Sequence, residues 1–305
     1  MSYIPLVSIC IPTFNRSGLL ANTLERIVCQ DAFQHTQEIE VVVSDNGSED
    51  DTKNIVSKYT CAYPGKVKYF PTKPIPGDEN FERTLRLGSG LVRKLLNDSC
   101  QLVDGSLALF AKLVEVTRSY KPIIFFTNGN HFVDQDIVNC NDLNDFISHA
   151  SYSSTWIGGF CIWGEHLDAI EDFSAYAEYH LAQTDVLLRL VAWRKQSLVF
   201  TKPFCVVQDL GRKSGYNIAE VFGSNYLRLL KRHVTSGQIS TAIYEKEKKK
   251  VLVEHIIPFY FSNKHDFSRS GFFKHLEEYK NDDYFYEAIE TLVFSRLSEN
   301  KMTLR

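Results

Sequence analysis

The feature that most restricts the fold is a strand-then-helix unit that occurs twice within the first sixty residues. Leu6-Val7-Ser8-Ile9-Cys10-Ile11-Pro12 is a short apolar, β-branched run, and it stops at Pro12, Thr13 and Asn15, residues that favour a loop. Ser17 then stands where an N-cap belongs, and Leu19, Leu20, Leu24, Ile27 and Val28 recur at helical spacing through Cys29. Glu40 to Ser44 repeats the strand pattern, followed by the acidic turn Asp45-Asn46-Gly47-Ser48-Glu49-Asp50-Asp51 and a helix through Tyr59. Two such units predict an α/β fold, a mostly parallel, doubly wound sheet flanked by helices, whose functional loops lie at the carboxyl ends of its strands.

The alternation continues for another seventy residues. Lys66 to Phe70 is a third strand, Pro71, Pro74, Pro76 and Gly77 form a linking loop, and Asn80 to Leu87 is helical. Leu91 to Leu96 is a fourth strand ending in Asn97-Asp98-Ser99, followed by a helix from about Ser106 to Arg118 and a strand from Pro122 to Thr127. Beyond residue 130 the pattern loosens, with Trp156 to Trp163 the best strand candidate and Asp185 to Trp193 the best helix. After Gly215 the chain reads almost wholly helical. The expected division is one domain over residues 1–215, with halves at about 1–130 and 131–215, and a helical C-terminal extension over 216–305.

Composition removes several function classes. With 44% hydrophobic residues the chain is globular, and 34 Lys+Arg against 37 Asp+Glu leave no broad basic surface, so nucleic acid is not an expected partner. The seven cysteines are scattered without a C-x-x-C pair, which indicates neither a zinc site nor a disulfide framework but reduced core thiols. The N-terminus runs straight into a strand without a basic and apolar leader, and the longest apolar stretch, Val251 to Phe261, is interrupted by Glu254, His255 and Pro258. These features lead to the expectation of a cytoplasmic protein.

The chemistry concentrates at the first two strand ends. Pro12-Thr13-Phe14-Asn15-Arg16 and Ser44-Asp45-Asn46-Gly47-Ser48 would stand side by side at the edge of the sheet. There Asp45 can accept hydrogen bonds from a base or ribose, and Asn46-Gly47 permits a tight turn that brings backbone N–H groups to a ligand. Asp50, Asp51 and Thr52 are better read as caps of the next helix. The dinucleotide and P-loop glycine patterns are both missing, which argues against a dehydrogenase or kinase.

These two segments, some thirty residues apart, resemble the start of a family 2 glycosyltransferase, the inverting nucleotide-sugar enzymes of the GT-A fold. Asn80-Phe81, Gly88-Ser89-Gly90, Ser214-Gly215-Tyr216-Asn217, Val221-Phe222 and Asn225-Tyr226 are similar to the branch that contains bacterial O-antigen sugar transferases such as abequosyltransferases. The resemblance implies a nucleotide-sugar half over about 1–130, with Pro12, Thr13, Asn15, Arg16, Asp45 and Asn46 at the nucleotide, and an acceptor half over about 131–215. It implies Mg²⁺ or Mn²⁺ at the end of the fourth strand, where the family has an aspartate cluster and this chain offers Asp98 alone. Alternatively Arg93, Lys94 or the Arg212-Lys213 pair would neutralise the donor diphosphate.

The acceptor hydroxyl needs a base, and the resemblance assigns it to Asp185 in Gln183-Thr184-Asp185-Val186, with His180 as competitor. Trp156 and Trp163 are more plausibly core than sugar platform. The implied partners are a nucleotide-sugar donor and a saccharide acceptor, lipid-linked in surface-polysaccharide assembly. The Lys246–Lys250 run beside apolar residues then suggests peripheral contact with the inner face of a membrane, against packing on the catalytic domain or a homodimer. The rival reading is a binding protein that recognises a sugar nucleotide or carbohydrate without turnover.

Overall fold

The computed structural model describes residues 4–130, 135–209, 214–261 and 266–290. The chain divides into two compact units, residues 1–178 with 182–209, and residues 179–181 with 210–305.

The first unit is built on β1 (Val7–Thr13), α1 (Ser17–Val28), α2 (Asp31–His35), β2 (Ile39–Asp45), α3 (Thr52–Ala62), β3 (Val67–Pro71), α4 (Gly77–Leu87) and β4 (Val92–Leu95). Every residue of β2 is buried, as the unbroken run Val41-Val42-Val43 requires of a strand covered by helices on both faces. On α1 the buried positions Leu20, Thr23, Leu24, Ile27 and Val28 form the single stripe that the spacing predicts. Arg16, not Ser17, occupies the N-cap. The Ser17 N–H is instead satisfied by Asp50 Oδ2 at 2.8 Å, while Oδ1 of the same carboxylate accepts from the backbone N–H and hydroxyl of Thr52. One aspartate thus serves the starts of two helices.

The chain continues through β5 (Cys100–Leu102), α5 (Ser106–Thr117), β6 (Ile123–Phe126), β7 (Ile137–Cys140), α6 (Leu143–Ala150), β8 (Cys161–Trp163), α7 (Gly164–Asp168), α8 (Ala182–Arg194), β9 (Ser197–Phe200) and β10 (Cys205–Val207). The main sheet has the order β3-β2-β1-β4-β8, parallel except for β8. A second sheet, β6-β9-β7, pairs β6 and β9 in parallel, and β5 and β10 form an antiparallel pair. Of the predicted Trp156–Trp163 strand, Cys161–Trp163 forms the strand. Gly158 and Gly159 make a tight helical turn before it, where a Cβ on Gly159 would lie 2.4 Å from the Phe126 carbonyl oxygen. Trp163 is buried with its indole N–H on the Pro122 carbonyl, and Trp156 packs against the core, so both are structural. All seven cysteines are free; five are buried, whereas Cys29 and Cys61 are exposed.

The second unit contains β11 (Ser214–Asn217), α9 (Leu227–Thr235), α10 (Thr241–Lys250), α11 (Ile257–Phe261), β12 (Asp266–Ser268) and α12 (Phe272–His275), with π-helical segments at Ala219–Tyr226 and Val251–Ile256. The parallel β11–β12 pair departs from the wholly helical expectation. Asn217 caps the π-helical segment through Ala219 N–H and Glu220 N–H, and the Tyr226 hydroxyl donates to buried Glu247. These motif residues therefore build the unit. Beside the lysine run Val251, Leu252 and Ile256 are buried, Val253 is 42% exposed, and Lys248 is paired with Glu245 and Asp282. Lys246 and Lys249 remain exposed.

At the amino end of the main sheet, buried Glu40 ties three strands together. Its carboxylate accepts from the Ser8 hydroxyl, the Ser89 N–H and hydroxyl, and Lys68 Nζ at 2.6 Å. Gly90 is required beside it, because a Cβ there would stand 2.7 Å from the Ser8 nitrogen. Burial by itself pushes the Glu40 carboxyl up, but the bonds from Lys68, Ser8 and Ser89 outweigh it and hold the group below its ordinary 4.5. A depressed carboxyl stabilises the native state above its unfolded value and loses that contribution as pH falls through the lower folded value. Glu40→Ala is expected to cost about 2–4 kcal/mol at neutral pH in urea unfolding, with the deficit shrinking below about pH 4.5. A loss that stayed constant down to pH 3 would contradict this account of the latch.

Candidate functional site: a crevice at the switch between β1 and β4

In this sheet the strand order reverses beside β1: β2 follows on one side and β4 on the other. Loops leaving the carboxyl ends of two such strands turn to opposite faces, which opens a crevice between them. A cavity of about 240 Å³ lies there, lined by residues that include Pro12, Thr13, Arg16, Asn46, Asn97 and Asp98. Asn80 and Phe81 of α4 and Ile157 complete the wall.

Asp98 is the electrostatic centre of the crevice. It is 4% exposed, with Oδ2 accepting from the Thr13 hydroxyl at 2.9 Å and Oδ1 from Arg16 at 3.2 Å. Its backbone carbonyl accepts from Thr23 of α1, whose hydroxyl also receives a bond from Gln208. Burial pushes the Asp98 carboxyl above its ordinary 3.8 despite the Arg16 guanidinium and the Thr13 hydroxyl. Next to it, the Asn97 side-chain oxygen is buried without a hydrogen-bond partner. An orphaned oxygen beside an incompletely compensated carboxylate is a donor pair that suits a divalent cation, which can take one protein carboxylate and complete its shell from phosphate and water. Among the described residues no three His, Cys, Asp or Glu side chains gather into a metal cluster.

The neighbouring loops are held without ligand. Asn46 clamps the 71–76 loop through Ile75 in both directions, its amide donating to the carbonyl and its oxygen accepting from the N–H. Gly47 has φ +81°, and a Cβ there would meet Pro74 at 2.8 Å. Asp45 and Asn15 stand behind the cavity wall. Asp45 accepts from Ser48 N–H and the Tyr69 hydroxyl, and Asn15 is bonded to Ser48 and Glu49. Both brace the turn.

Two basic candidates for a diphosphate are displaced by the fold. Lys94 is fully buried, its ammonium donating to the Gly158 carbonyl between the rings of Phe126 at 4.4 Å and Phe204 at 4.9 Å. Arg93 donates to the Leu85 carbonyl. Both lie upstream of the strand end and do not line the cavity, whereas Arg16 does. Arg212 and Lys213 fall outside the described residues. Asp185 is buried in the first turn of α8, where Oδ2 accepts from Arg189 Nε at 2.7 Å, and it does not line the cavity. The turns around it are bonded to the 154–155 backbone, through Gln183 to the Thr155 carbonyl and Thr184 to the Ser154 carbonyl, just before Ile157. His180 is exposed and belongs to the second unit.

Sequence reasoning missed Asn97, Thr23 and Gln208. Asn97 was legible as the neighbour of Asp98 at a strand end. Thr23 and Gln208 act through contacts across 75 and 185 residues, for which the sequence carries no local sign.

The fold and this crevice define a GT-A type architecture. An archaeal mannosyltransferase, PcManGT from Pyrobaculum calidifontis, solved with GDP-Man and Mn²⁺, superposes with a TM-score of 0.57 at 17% identity, over 83% of this chain and 71% of its own. Residues 8–73 match the sequence model of glycosyl transferase family 2. A GalNAc(5)-diNAcBac-PP-undecaprenol beta-1,3-glucosyltransferase of Campylobacter jejuni is 32% identical over 106 residues, 34% of this chain and 33% of that protein. Abequosyltransferase RfbV of Salmonella typhimurium is 31% identical over 105 residues, 34% of this chain and 31% of its own. The chain thus spans about a third of the length of these curated relatives.

A carboxyl whose folded value is raised opposes folding once ionised: its stabilising contribution is complete below its unfolded value and is lost as pH rises through the folded one. Asp98→Asn, which retains an acceptor for Thr13, is therefore expected to melt at or above the parent temperature at pH 7. A decrease of several degrees would show that Asp98 is held for stability and not for a ligand.

Proposed function

We propose that this chain is a glycosyltransferase that moves a sugar from a nucleoside diphosphate to a hydroxyl of a saccharide acceptor, with inversion at the anomeric carbon. The observation that carries this reading is the crevice at the β1/β4 switch, where Asp98, the orphaned Asn97 oxygen and the half-exposed Arg16 guanidinium converge. The donor diphosphate lies against Arg16, with Thr13 and Asn46 bordering the nucleotide. Asp98 and Asn97 would hold a divalent cation, Mg²⁺ or Mn²⁺, which would supply positive charge against the diphosphate. Support for a nucleotide sugar with a cation comes from the ligands of the mannosyltransferase of like fold.

Asp185 is the proposed base, accepting the acceptor hydroxyl's proton as oxygen bonds to the anomeric carbon opposite the departing diphosphate. Its support is a carboxylate at the start of a helix bonded to the segment that carries Ile157 onto the cavity wall. Arg189 keeps that carboxylate oriented. In this division of labour residues 1–215 carry out the transfer and the C-terminal unit serves the acceptor side. The Campylobacter relative, a glucosyltransferase named for an undecaprenol-linked glycan, supports a lipid-linked saccharide acceptor, and surface-polysaccharide assembly at the inner face of a membrane is the setting proposed for it. No helix among the described residues is long and apolar enough to cross one.

The lone carboxylate at the strand end favours a second reading, a binding protein that recognises a sugar nucleotide without turnover. Titration and turnover against UDP-, GDP-, CDP- and dTDP-sugars, with cation or with excess EDTA, distinguish the two. Asp185→Asn is expected to lower turnover about a hundredfold to ten-thousandfold with donor affinity nearly unchanged, and Arg16→Ala to weaken donor binding roughly tenfold. Donor binding without hydrolysis or transfer would establish the binding protein. Asp185→Asn at parental rate would remove Asp185 as the base, and full activity in EDTA would remove the cation.

A further inference from the structure

The first unit has a second hollow, of about 180 Å³, lined by His166, Ala169, Ile170, Arg189, Leu190 and Trp193. His166 is 2% exposed, and neither ring nitrogen has a hydrogen-bond partner. Glu165 Oε1 lies 3.7 Å from Nε2, beyond hydrogen-bonding distance. Burial, aided by Arg194, pushes the imidazole down to about 4, so at neutral pH it offers one N–H donor and one acceptor, both unused. Buried polar groups in native proteins are almost always paired, which makes this side chain an indicator of an absent partner.

Trp193 has the opposite anomaly: 58% of it is exposed. The imidazole meets its ring edge-on at 5.5 Å, and the Arg194 guanidinium stands 5.6 Å from the ring centroid. The same guanidinium donates to the carbonyl of Tyr120, itself an exposed aromatic residue. The Arg189 guanidinium is committed to Asp185 and to the Asp172 carbonyl.

We infer that this hollow is a second saccharide site, distinct from the donor crevice, in which a pyranose stacks its C–H face on Trp193 and places hydroxyls on His166. The lining selects this chemistry. A hydroxyl both donates and accepts, so it satisfies either imidazole nitrogen, whereas a purely apolar ligand would leave both empty. A cation finds no acidic side chain among the lining residues, and an anion would compete with Asp185 for Arg189. A largely exposed indole beside a buried polar group suits a ring that has one apolar face and a polar rim. The volume accommodates a single sugar residue, so the site would hold one unit of a longer glycan. The inference does not rest on sugar transfer in the crevice, since binding here is read without any donor.

The test is saturation-transfer NMR and tryptophan fluorescence on the full chain with the methyl glycosides of glucose, galactose, mannose, rhamnose and N-acetylglucosamine. At least one is expected to bind with millimolar affinity, undiminished by excess nucleoside diphosphate and by Thr13→Val in the crevice. Trp193→Ala, at an exposed position, and Ala169→Arg, which fills the mouth, should each weaken binding roughly tenfold or more, with unchanged circular dichroism. The inference is overturned if no glycoside binds at high millimolar concentration, if binding survives both substitutions, or if nucleoside diphosphate displaces the glycoside.

Discussion

The hydrogen bond from Thr13 to Asp98 spans the point where the sheet changes direction, and the site depends on it. Thr13 ends β1 and Asp98 follows β4, strands that are adjacent in space although 85 residues separate the two side chains. Because the loops beyond them turn away from each other, polar side chains from both strand ends face a common space. Closing that space with one hydroxyl-to-carboxylate bond fixes the carboxylate where Arg16 also reaches it. Burial makes that charge costly, and the neighbouring Asn97 oxygen adds an unsatisfied acceptor. The crevice therefore holds strain of an electrostatic kind that positive charge would relieve.

The supporting layer explains how this geometry is held. Lys94, on the strand that delivers Asp98, surrenders its solvation to hold the Gly158 carbonyl, and the rings of Phe126 and Phe204 partly compensate the buried ammonium. That contact fixes the turn whose first residue, Ile157, forms part of the cavity wall. On the other side Asn46 and Gly47 hold the 71–76 loop, and Gln208 joins α1 to the chain following β10. A site supported by packed strands and loop clamps is preorganised, so less of the binding energy is spent on ordering.

Much of the crevice was legible in the sequence because its parts sit at strand ends announced by local pattern. The β-branched runs stopping at Pro12-Thr13 and Ser44-Asp45 locate two of the loops, and the run ending in Asn97-Asp98 locates the third. What escaped was orientation. Lys94 looks like a phosphate ligand by residue type, yet strand alternation turns it into the core. Asp45, expected at the nucleotide, also accepts from Tyr69 of the adjacent strand, a contact its sequence neighbours do not announce. The sequence does not show that Val251, Leu252 and Ile256 beside the lysine run are buried while Val253 is exposed. Side-chain direction and long-range pairing are tertiary properties, and residue type alone does not encode them.

The central claim is that the β1/β4 crevice holds the diphosphate of a nucleotide sugar. A crystal structure of the full chain with a bound nucleoside diphosphate sugar and Mg²⁺ tests it most directly. The account predicts diphosphate density between Arg16 and the Asn97–Asp98 pair, with cation density at that pair. Nucleotide bound elsewhere on the chain, with this crevice empty, would contradict it.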